Sequence, residues 1–139
     1  MKNRIIIPLI IISIIILSIA LYLSFNHNQN SNFDENKVVR VIDGDTFEIA
    51  SGEVIRMICI NAVEKNEKGY NEAADFLSEL ILYKSVILEK DKTNKDAYGR
   101  LLRYVYINDT FVNKEMVQRG YAKVFRYGED LSKCDEIEN

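Results

Sequence analysis

The sequence predicts a mainly β fold of the α+β class, in which five or more short strands form a small barrel and two or three helices pack outside it. Two observations predict this fold. Segments rich in β-branched residues recur between turn signals such as Asp43-Gly44, a pattern typical of consecutive short strands. From Asn71 onward the apolar residues are instead spaced at i, i+3 and i+4, which indicates an amphipathic helix.

The strands are predicted in chain order from their runs of Val, Ile, Leu, Phe and Tyr and from the turns between them. They cover residues 37–42, 46–50, 54–60, 85–89, 101–107 and 121–125. A polar loop over 61–70 and a charged loop over 90–99 interrupt the series. Together these segments supply the strands of the predicted barrel.

The helices follow from their apolar faces and from the residues that cap them. In the longest one Asn71 is predicted to cap the N-terminus, and one face would carry Ala73, Phe76, Leu77, Leu80 and Ile81. A short helix is predicted from an Asn113 cap to Arg119, where Gly120 ends it. A further helix begins near Asp130.

Residues 1–26 form a separate hydrophobic segment. Lys2 and Arg4 begin it, and the apolar run over 5–25 would make a helix about 31 Å long at ~1.5 Å per residue, close to a bilayer core of about 30 Å. The segment is either an uncleaved membrane anchor or a signal peptide cleaved near Ser-Ile-Ala at 18–20. In both cases Lys2 and Arg4 stay in the cytoplasm and the remainder lies outside, so we expect a membrane-tethered or secreted protein.

Residues 27–36 are polar and rich in asparagine, which is typical of a flexible linker. The only histidine, His27, lies in this linker, so histidine-based acid–base chemistry is excluded from the domain over 37–139. The formal net charge is −3, which excludes a basic protein that coats nucleic acid. An anionic substrate would have to be held locally, by a few arginines and a metal.

The chain has two cysteines, Cys59 in an apolar predicted strand and Cys134 near the C-terminus. A location outside the cytoplasm permits a disulfide, but two cysteines do not make a disulfide framework. The sequence favours a buried, hydrophobic Cys59 and a surface thiol at Cys134. We therefore expect no bond between them.

Several charged residues and one tyrosine occur in an order that suits a hard metal ion and a phosphodiester. Carboxylate oxygens bind hard cations, and guanidinium groups match phosphate oxygens with paired hydrogen bonds. Each motif alone has an ordinary explanation as a turn, an ion pair or a solvated charge, but their joint order favours a catalytic site. The set consists of Asp43-Gly44-Asp45-Thr46, Arg56, Glu64 and Asp96-Ala97-Tyr98-Gly99-Arg100.

This ordered set, together with Val112-Asn113 and the segment from Arg119 to Val124, resembles the staphylococcal nuclease (thermonuclease) family over residues 37–127. The resemblance implies an OB-type five-stranded barrel with flanking helices. It also implies calcium-dependent cleavage of DNA and RNA that leaves 3′-phosphorylated ends. We expect the protein to act as a monomer.

The resemblance implies a calcium site on the loops around the first hairpin. Asp45, Asn61 and the backbone carbonyl of Ala62 stand where the family's calcium ligands lie, and Asp43 stands near the metal as a supporting carboxylate. Asn61 departs from the family pattern, which has an aspartate there. Because ligand charge tunes calcium affinity, we expect weaker calcium binding than at a site with two aspartates.

The resemblance also implies substrate and catalytic roles. Arg56 and Arg100 stand where two arginines bind phosphate, Glu64 where a glutamate acts as general base or positions the water, and Tyr98 where a tyrosine contacts a substrate phosphate. Val63 replaces a proline that is usual in the family. The loop that carries Glu64 is therefore expected to be looser.

A second function remains open: a binding module on the same fold, with catalysis lost, which would hold nucleic acid or a protein partner. Asn61 favours this alternative, as does the C-terminus, which lacks the family's closing tryptophan segment. We expect the segment after Asp130 to be truncated and poorly packed. A third reading is an anchored structural protein with no role on nucleic acid.

Overall fold

The computed structural model describes residues 3–30 and 33–139, with side chains described over 11–24 and 33–139. The chain divides into two units, Met1–Phe33 and Asp34–Asn139. The first unit contains helix α1, Asn3–Asn30. No helix in the described part of the chain is long and apolar enough to cross a membrane. Of the predicted anchor or signal segment, residues 1 and 2 and the side chains of 3–10 and 25–26 lie outside what is described.

The second unit is of the α+β class and consists mainly of short strands. Its first half contains β1 (Val38–Asp43), β2 (Thr46–Ile49), β3 (Val54–Met57), β4 (Ile60–Ala62) and α2 (Tyr70–Ile81). Its second half contains β5 (Ile87–Glu89), β6 (Leu101–Ile107), β7 (Thr110–Phe111), α3 (Val112–Gln118), β8 (Ala122–Val124) and α4 (Cys134–Glu138). Most predicted strands are confirmed, with ends that differ by one or two residues.

The strands pair in an OB-like path that does not close into a continuous barrel. The main sheet has the order β1-β2-β3-β6-β5, with β7 paired to β6, and β4 and β8 form a separate two-stranded sheet. The predicted five-stranded barrel is therefore confirmed only in part, as an OB-like arrangement of strands. The two edges of the main sheet are joined by an isolated bridge between Lys37 and Ser85 and by a few backbone hydrogen bonds beside it. They form no continuous ladder, because β5 is three residues long and begins after that bridge.

The predicted strand over 54–60 is wrong as a single element. It divides into β3 and β4 at Ile58 and Cys59, where Cys59 adopts the left-handed backbone conformation with φ of 63°. A residue in that conformation ends an extended strand. The break sends β4 to pair with β8 instead of continuing in the main sheet. It also places Arg56 before the turn and Asn61 after it.

Two predicted helix caps are also wrong. Helix α2 is preceded by Gly69 with φ of 100° and has no side-chain cap, so Asn71 lies within the helix. Asn113 lies inside α3 and is fully buried. Its Oδ1 accepts a hydrogen bond from the Val105 amide at 2.9 Å, and its Nδ2 donates to the Ile58 carbonyl at 2.9 Å. The buried amide thus fixes the turn between β3 and β4 against β6.

The core lies between the main sheet and helices α2 and α3. The amphipathic prediction for α2 is confirmed, since Ala73, Leu77 and Ile81 are buried. They share a continuous apolar cluster with Phe47 and Met116. Burial of such side chains contributes about 1.5–3 kcal/mol each. This core is the support on which the β1–β2 hairpin and the β3–β4 turn are held.

The C-terminal segment is tied to the domain rather than loosely packed. Cys59 and Cys134 form a disulfide across a sequence separation of 75, and Cys134 and Ile137 are buried. The expectations of a surface thiol at Cys134 and of poor packing after Asp130 are therefore wrong. The physical reason is that α4 presents Cys134 and Ile137 on one side, toward α3 and β8.

Gly44 lies at the tip of the β1–β2 hairpin in a close packing contact. A Cβ atom there would lie 2.7 Å from the Cβ of Ala62 and 2.8 Å from the Cβ of Ala73. We expect Gly44→Ala to destabilise the fold by about 1–3 kcal/mol, the usual cost of overpacking, measured as a lower urea midpoint. Ser51→Ala, in an exposed turn, is the matched control. An unchanged midpoint for Gly44→Ala would contradict this packing.

Candidate active site

Asp45 is a buried carboxylate at the start of β2, held by three groups. Its Oδ2 accepts a hydrogen bond from the Ala62 amide at 2.8 Å, and its Oδ1 accepts one from the Thr46 hydroxyl at 2.9 Å. The Arg56 guanidinium lies 3.2 Å from Oδ2 as an ion pair. These contacts join the hairpin tip to β4 and fix the direction of the carboxylate.

The β3–β4 turn folds around the guanidinium of Arg56. Its Nη1 donates to the carbonyls of Met57 and Ile60, and its Nη2 donates to Oδ1 of Asn61 at 3.0 Å. The Arg56 side chain is only 14% exposed. The turn at Cys59 brings the two carbonyls to one side of the guanidinium. The break in the predicted strand therefore positions the groups that bind Arg56.

Asn61 connects Arg56 to Glu64. While its Oδ1 accepts from Arg56, its Nδ2 donates to Oε1 of Glu64 at 3.3 Å. Glu64 is exposed to solvent. Asp45, Arg56, Asn61 and Glu64 therefore form one continuous array. The structure brings together these four residues predicted from the sequence.

Arg100 lies in a second, separately braced motif. Oδ2 of Asp96 accepts from Nε of Arg100 at 2.7 Å, while Oδ1 accepts from the amides of Tyr98 and Arg100. Burial acts to raise the pKa of Asp96, but the hydrogen bonds from Arg100 and Tyr98 outweigh it and hold that pKa below its ordinary value. The Tyr98 ring lies 5.3 Å from Cζ of Arg100, within cation–π range.

Arg56 and Arg100 line the same groove, whose volume is about 480 Å³. The parallel pairing of Arg56 with Leu102 brings the two strands side by side there. Tyr98, Phe125 and Tyr127 also line the groove. Phe125 and Tyr127 were not predicted from the sequence. Their ring centroids lie 6.1 Å apart with an interplanar angle of 7°. The signal that could have identified them is a pair of aromatic residues, two positions apart, directly after β8.

The buried Asp45 carboxylate is the main source of negative charge at the hairpin tip. Burial raises the pKa of Asp45 above its ordinary value, and the nearby Asp43 charge adds to this, although Arg56 and the Ala62 amide oppose it. The negative charge is thus incompletely compensated, and a bound cation would stabilise it. Asn61 offers a neutral oxygen where a carboxylate would add charge. Among the described residues no group of three or more His, Cys, Asp or Glu forms a metal-binding cluster.

Comparison with known proteins identifies the family. The family model described as "Staphylococcal nuclease homologue" matches residues 54–139, which is more than half of the chain and includes Arg56, Glu64 and Arg100. The chain belongs to the staphylococcal nuclease family. The resemblance seen in the sequence is confirmed.

Individual related proteins, two thermonucleases and an endonuclease, extend the match toward the N-terminus. The chain is 32% identical over 118 residues to a thermonuclease of Staphylococcus hyicus, covering 78% of this chain and 70% of that protein. It is 34% identical over 99 residues to a thermonuclease of Staphylococcus intermedius, covering 65% and 59%. It is 37% identical over 93 residues to an uncharacterized endonuclease of Escherichia coli, covering 64% and 60%. The last two matches thus span about three fifths of those relatives' own length.

Proposed function

We propose that this protein is a calcium-dependent nuclease that hydrolyses phosphodiester bonds in DNA and RNA. The observation that carries the proposal is the array of Asp45, Arg56, Asn61 and Glu64, with Arg100 on the same groove as Arg56. Membership of the staphylococcal nuclease family supports hydrolysis of nucleic acid in general. The names of the relatives, thermonuclease and endonuclease, support it as well.

The two arginines bind and polarise the phosphate. Both guanidiniums stay charged at any working pH and match phosphate oxygens in pairs. Because Asp45 and the turn carbonyls hold Arg56, and Asp96 holds Arg100, neither needs to be ordered when the substrate binds. Fixed cations at this place stabilise the negative charge that the phosphate oxygens gain in the transition state.

Glu64 supplies the proton transfer. Its exposed carboxylate accepts a proton from a water molecule, which attacks the phosphorus atom. The bond between phosphorus and O5′ breaks, O5′ takes up a proton, and the products are a 3′-phosphate and a 5′-hydroxyl. The hydrogen bond from Asn61 orients the carboxylate toward the array that holds the phosphate.

Asp45, Asn61 and the carbonyl of Ala62 would hold the calcium ion, with Asp43 beside them. When bound, calcium supplies positive charge that neutralises charge building on the phosphate and its attacking water. Oδ1 of Asn61 already accepts a hydrogen bond from Arg56, so a calcium ion on its second lone pair would compete with the positive charge of that guanidinium. This competition and the missing carboxylate both predict weak calcium affinity.

The aromatic groove suits single strands. Tyr98 and Tyr127 are 84% and 79% exposed and Phe125 is 48% exposed, so their faces are open to bases. Stacking on aromatic side chains contributes about 1–3 kcal/mol per base and tolerates any sequence. Since the arginines contact only the backbone of the substrate, sequence preference should be weak.

We place this activity outside the cytoplasm, on a monomeric protein. The disulfide between Cys59 and Cys134 supports this location, because such bonds persist in oxidising compartments and are rare in the cytosol. The apolar run over 5–25 would serve as the membrane anchor or as the signal for export.

The second candidate is a nucleic-acid-binding module without catalysis. It is favoured by one observation: the Asn61 oxygen that would hold a metal is already hydrogen-bonded to Arg56. Such a module would bind single strands in the presence of chelator and would not degrade them with calcium. Retention of Glu64 in contact with Asn61 favours the enzyme instead.

The experiment is a calcium titration of cleavage of single-stranded DNA by the full-length protein. We expect activity that is absent in chelator and rises up to millimolar calcium. In Glu64→Gln the cleavage rate should fall about 10²–10³-fold, the usual loss when one group that acts on the transition state is removed. Asn61→Asp should shift the half-maximal calcium concentration downward, because it adds a ligand charge. A folded protein that never cleaves, even as Asn61→Asp in saturating calcium, would contradict the nuclease and favour the binding module.

A further inference from the structure

We propose that Lys123 is a substrate-binding residue that contacts a backbone phosphate outside the one held by Arg56 and Arg100. This inference rests on the proposed action on nucleic acid and goes beyond it by assigning a second phosphate subsite. Lys123 lies in the segment from Arg119 to Val124 that resembles the nuclease family, but the resemblance implies no role for it. Three features of Lys123 support this role: its register in β8, its lack of a partner among the described residues and the carboxylates around it.

The register of the small sheet places Lys123 beside the candidate active site. In the antiparallel pair of β4 and β8, Asn61 lies directly opposite Lys123. Directly opposed residues point to the same face, with Cβ atoms about 4.5–5.5 Å apart. The flanking Ile60, Ala62 and Ala122 are buried, so this face points away from the core. Lys123 therefore emerges next to the Asn61 side chain.

Lys123 has no partner within the described residues, unlike the two arginines. Arg56 is paired with Asp45, and Arg100 is paired with Asp96. Lys123 is exposed, and in the described part of the chain no hydrogen bond or ion pair engages its ammonium. A flexible, solvated ammonium of this kind can meet a phosphate as a point charge.

Lys123 lies on a second groove, of about 400 Å³, that has Phe125 in common with the first. This groove is lined by Asn61, Glu64, Glu67 and Lys123, and Phe125 lines both grooves. A single strand that crosses Phe125 from the first groove would therefore enter the second beside Glu64. Its next backbone phosphates would then lie within reach of Lys123.

The charge of the second groove requires a cation for such a path. Glu64 and Glu67 give it two carboxylates, and these repel a polyanion at the short range where screening by salt is incomplete. Lys123 is the cation that lines this groove in the described structure. Without Lys123, the two carboxylates would repel the nucleic-acid strand from the position beside Glu64, where the proposed general base must reach it. Lys123 therefore acts in binding the substrate rather than in stabilising the fold.

The test compares Lys123→Gln with Lys114→Gln, a control on α3 that lines neither groove. The probe is a fluorescein-labelled single-stranded dT decamer in chelator, so that nothing is cleaved, with binding followed by anisotropy across a series of salt concentrations. We expect Lys123→Gln to bind more weakly and to reduce the slope of log affinity against log salt by about 0.7, the value for one phosphate contact on a single strand. Lys123→Arg should restore the slope, and Lys114→Gln should match the wild type.

The outcomes separate this proposal from the proposed nuclease activity. A reduced slope in Lys123→Gln supports the subsite even if the wild type never cleaves DNA. An unchanged slope and affinity in Lys123→Gln overturns the subsite even if the wild type is an active nuclease. An unchanged slope with tighter calcium binding, measured by calorimetry, would also overturn it, since Lys123 would then act only on the metal.

Discussion

Replacing Arg56 with lysine is expected to reduce calcium-dependent cleavage of single-stranded DNA by about 10²–10³-fold, the typical effect of removing a transition-state donor. The guanidinium of Arg56 donates to Ile60 and Asn61 and pairs with Asp45. A lysine ammonium keeps the charge but lacks the planar set of donors. It cannot make all of these contacts at once, so its positive charge would not be held in the same place beside the phosphate.

The substitution is chosen to separate catalysis from folding. Arg56→Ala would leave Asp45 as a buried, unpaired charge, which typically costs about 3–5 kcal/mol. Arg56→Lys retains a cation there, and urea unfolding should show a smaller loss. Arg40→Lys is the matched control, because Arg40 forms an exposed pair with Glu48 and should leave activity unchanged. Near wild-type turnover in folded Arg56→Lys would contradict the role given to this guanidinium.

Removing the disulfide is expected to cause a large loss of stability. The bond joins Cys59 and Cys134 across a separation of 75, and closing a loop of that length lowers the entropy of the unfolded chain, stabilising the fold by up to about 4 kcal/mol. The double variant Cys59→Ala with Cys134→Ala should show this loss in urea unfolding. The double variant is used because a single replacement leaves a free thiol.

The wild-type protein in a dithiol reductant provides the internal control. Its unfolding midpoint should fall to that of the double variant, while the double variant should not respond to reductant. The active-site turn is held independently, since Asn113 donates to the Ile58 carbonyl and the Phe125 amide donates to the Cys59 carbonyl at 2.9 Å. Loss of activity should therefore follow loss of folded protein. Equal midpoints with and without reductant would contradict a stabilising bond.

The strands and α2 could be predicted because their information is local. Alternation and turn residues identify β1, β2 and β6, and helical spacing identifies α2. The break at Cys59 could not be predicted, because a cysteine in the left-handed conformation has no sequence signal and depends on contacts from Asn113 and Phe125. Asn113 was misassigned as a cap for the same reason: its buried partners are distant in the chain.

The candidate site could be predicted as a set of residues but not as an arrangement. The resemblance identified Arg56, Glu64 and Arg100 from their order, and the structure places Arg56 with Glu64 through Asn61 and with Arg100 across a groove. The hydrogen bond from Arg56 to the Asn61 side-chain oxygen depends on the fold of the turn, so the sequence alone does not predict it. Lys123 was missed because its position opposite Asn61 is a matter of strand register, which the sequence of β8 does not contain.

The most direct test of the central claim is mass spectrometry of the products from a defined single-stranded oligonucleotide, incubated with the full-length protein and calcium in ¹⁸O-labelled water. The proposed mechanism predicts fragments with a 5′-hydroxyl and a 3′-phosphate that carries one ¹⁸O atom, formed by the wild type and strongly reduced in Glu64→Gln. Intact oligonucleotide from folded protein in saturating calcium, or products with a 5′-phosphate, would contradict it.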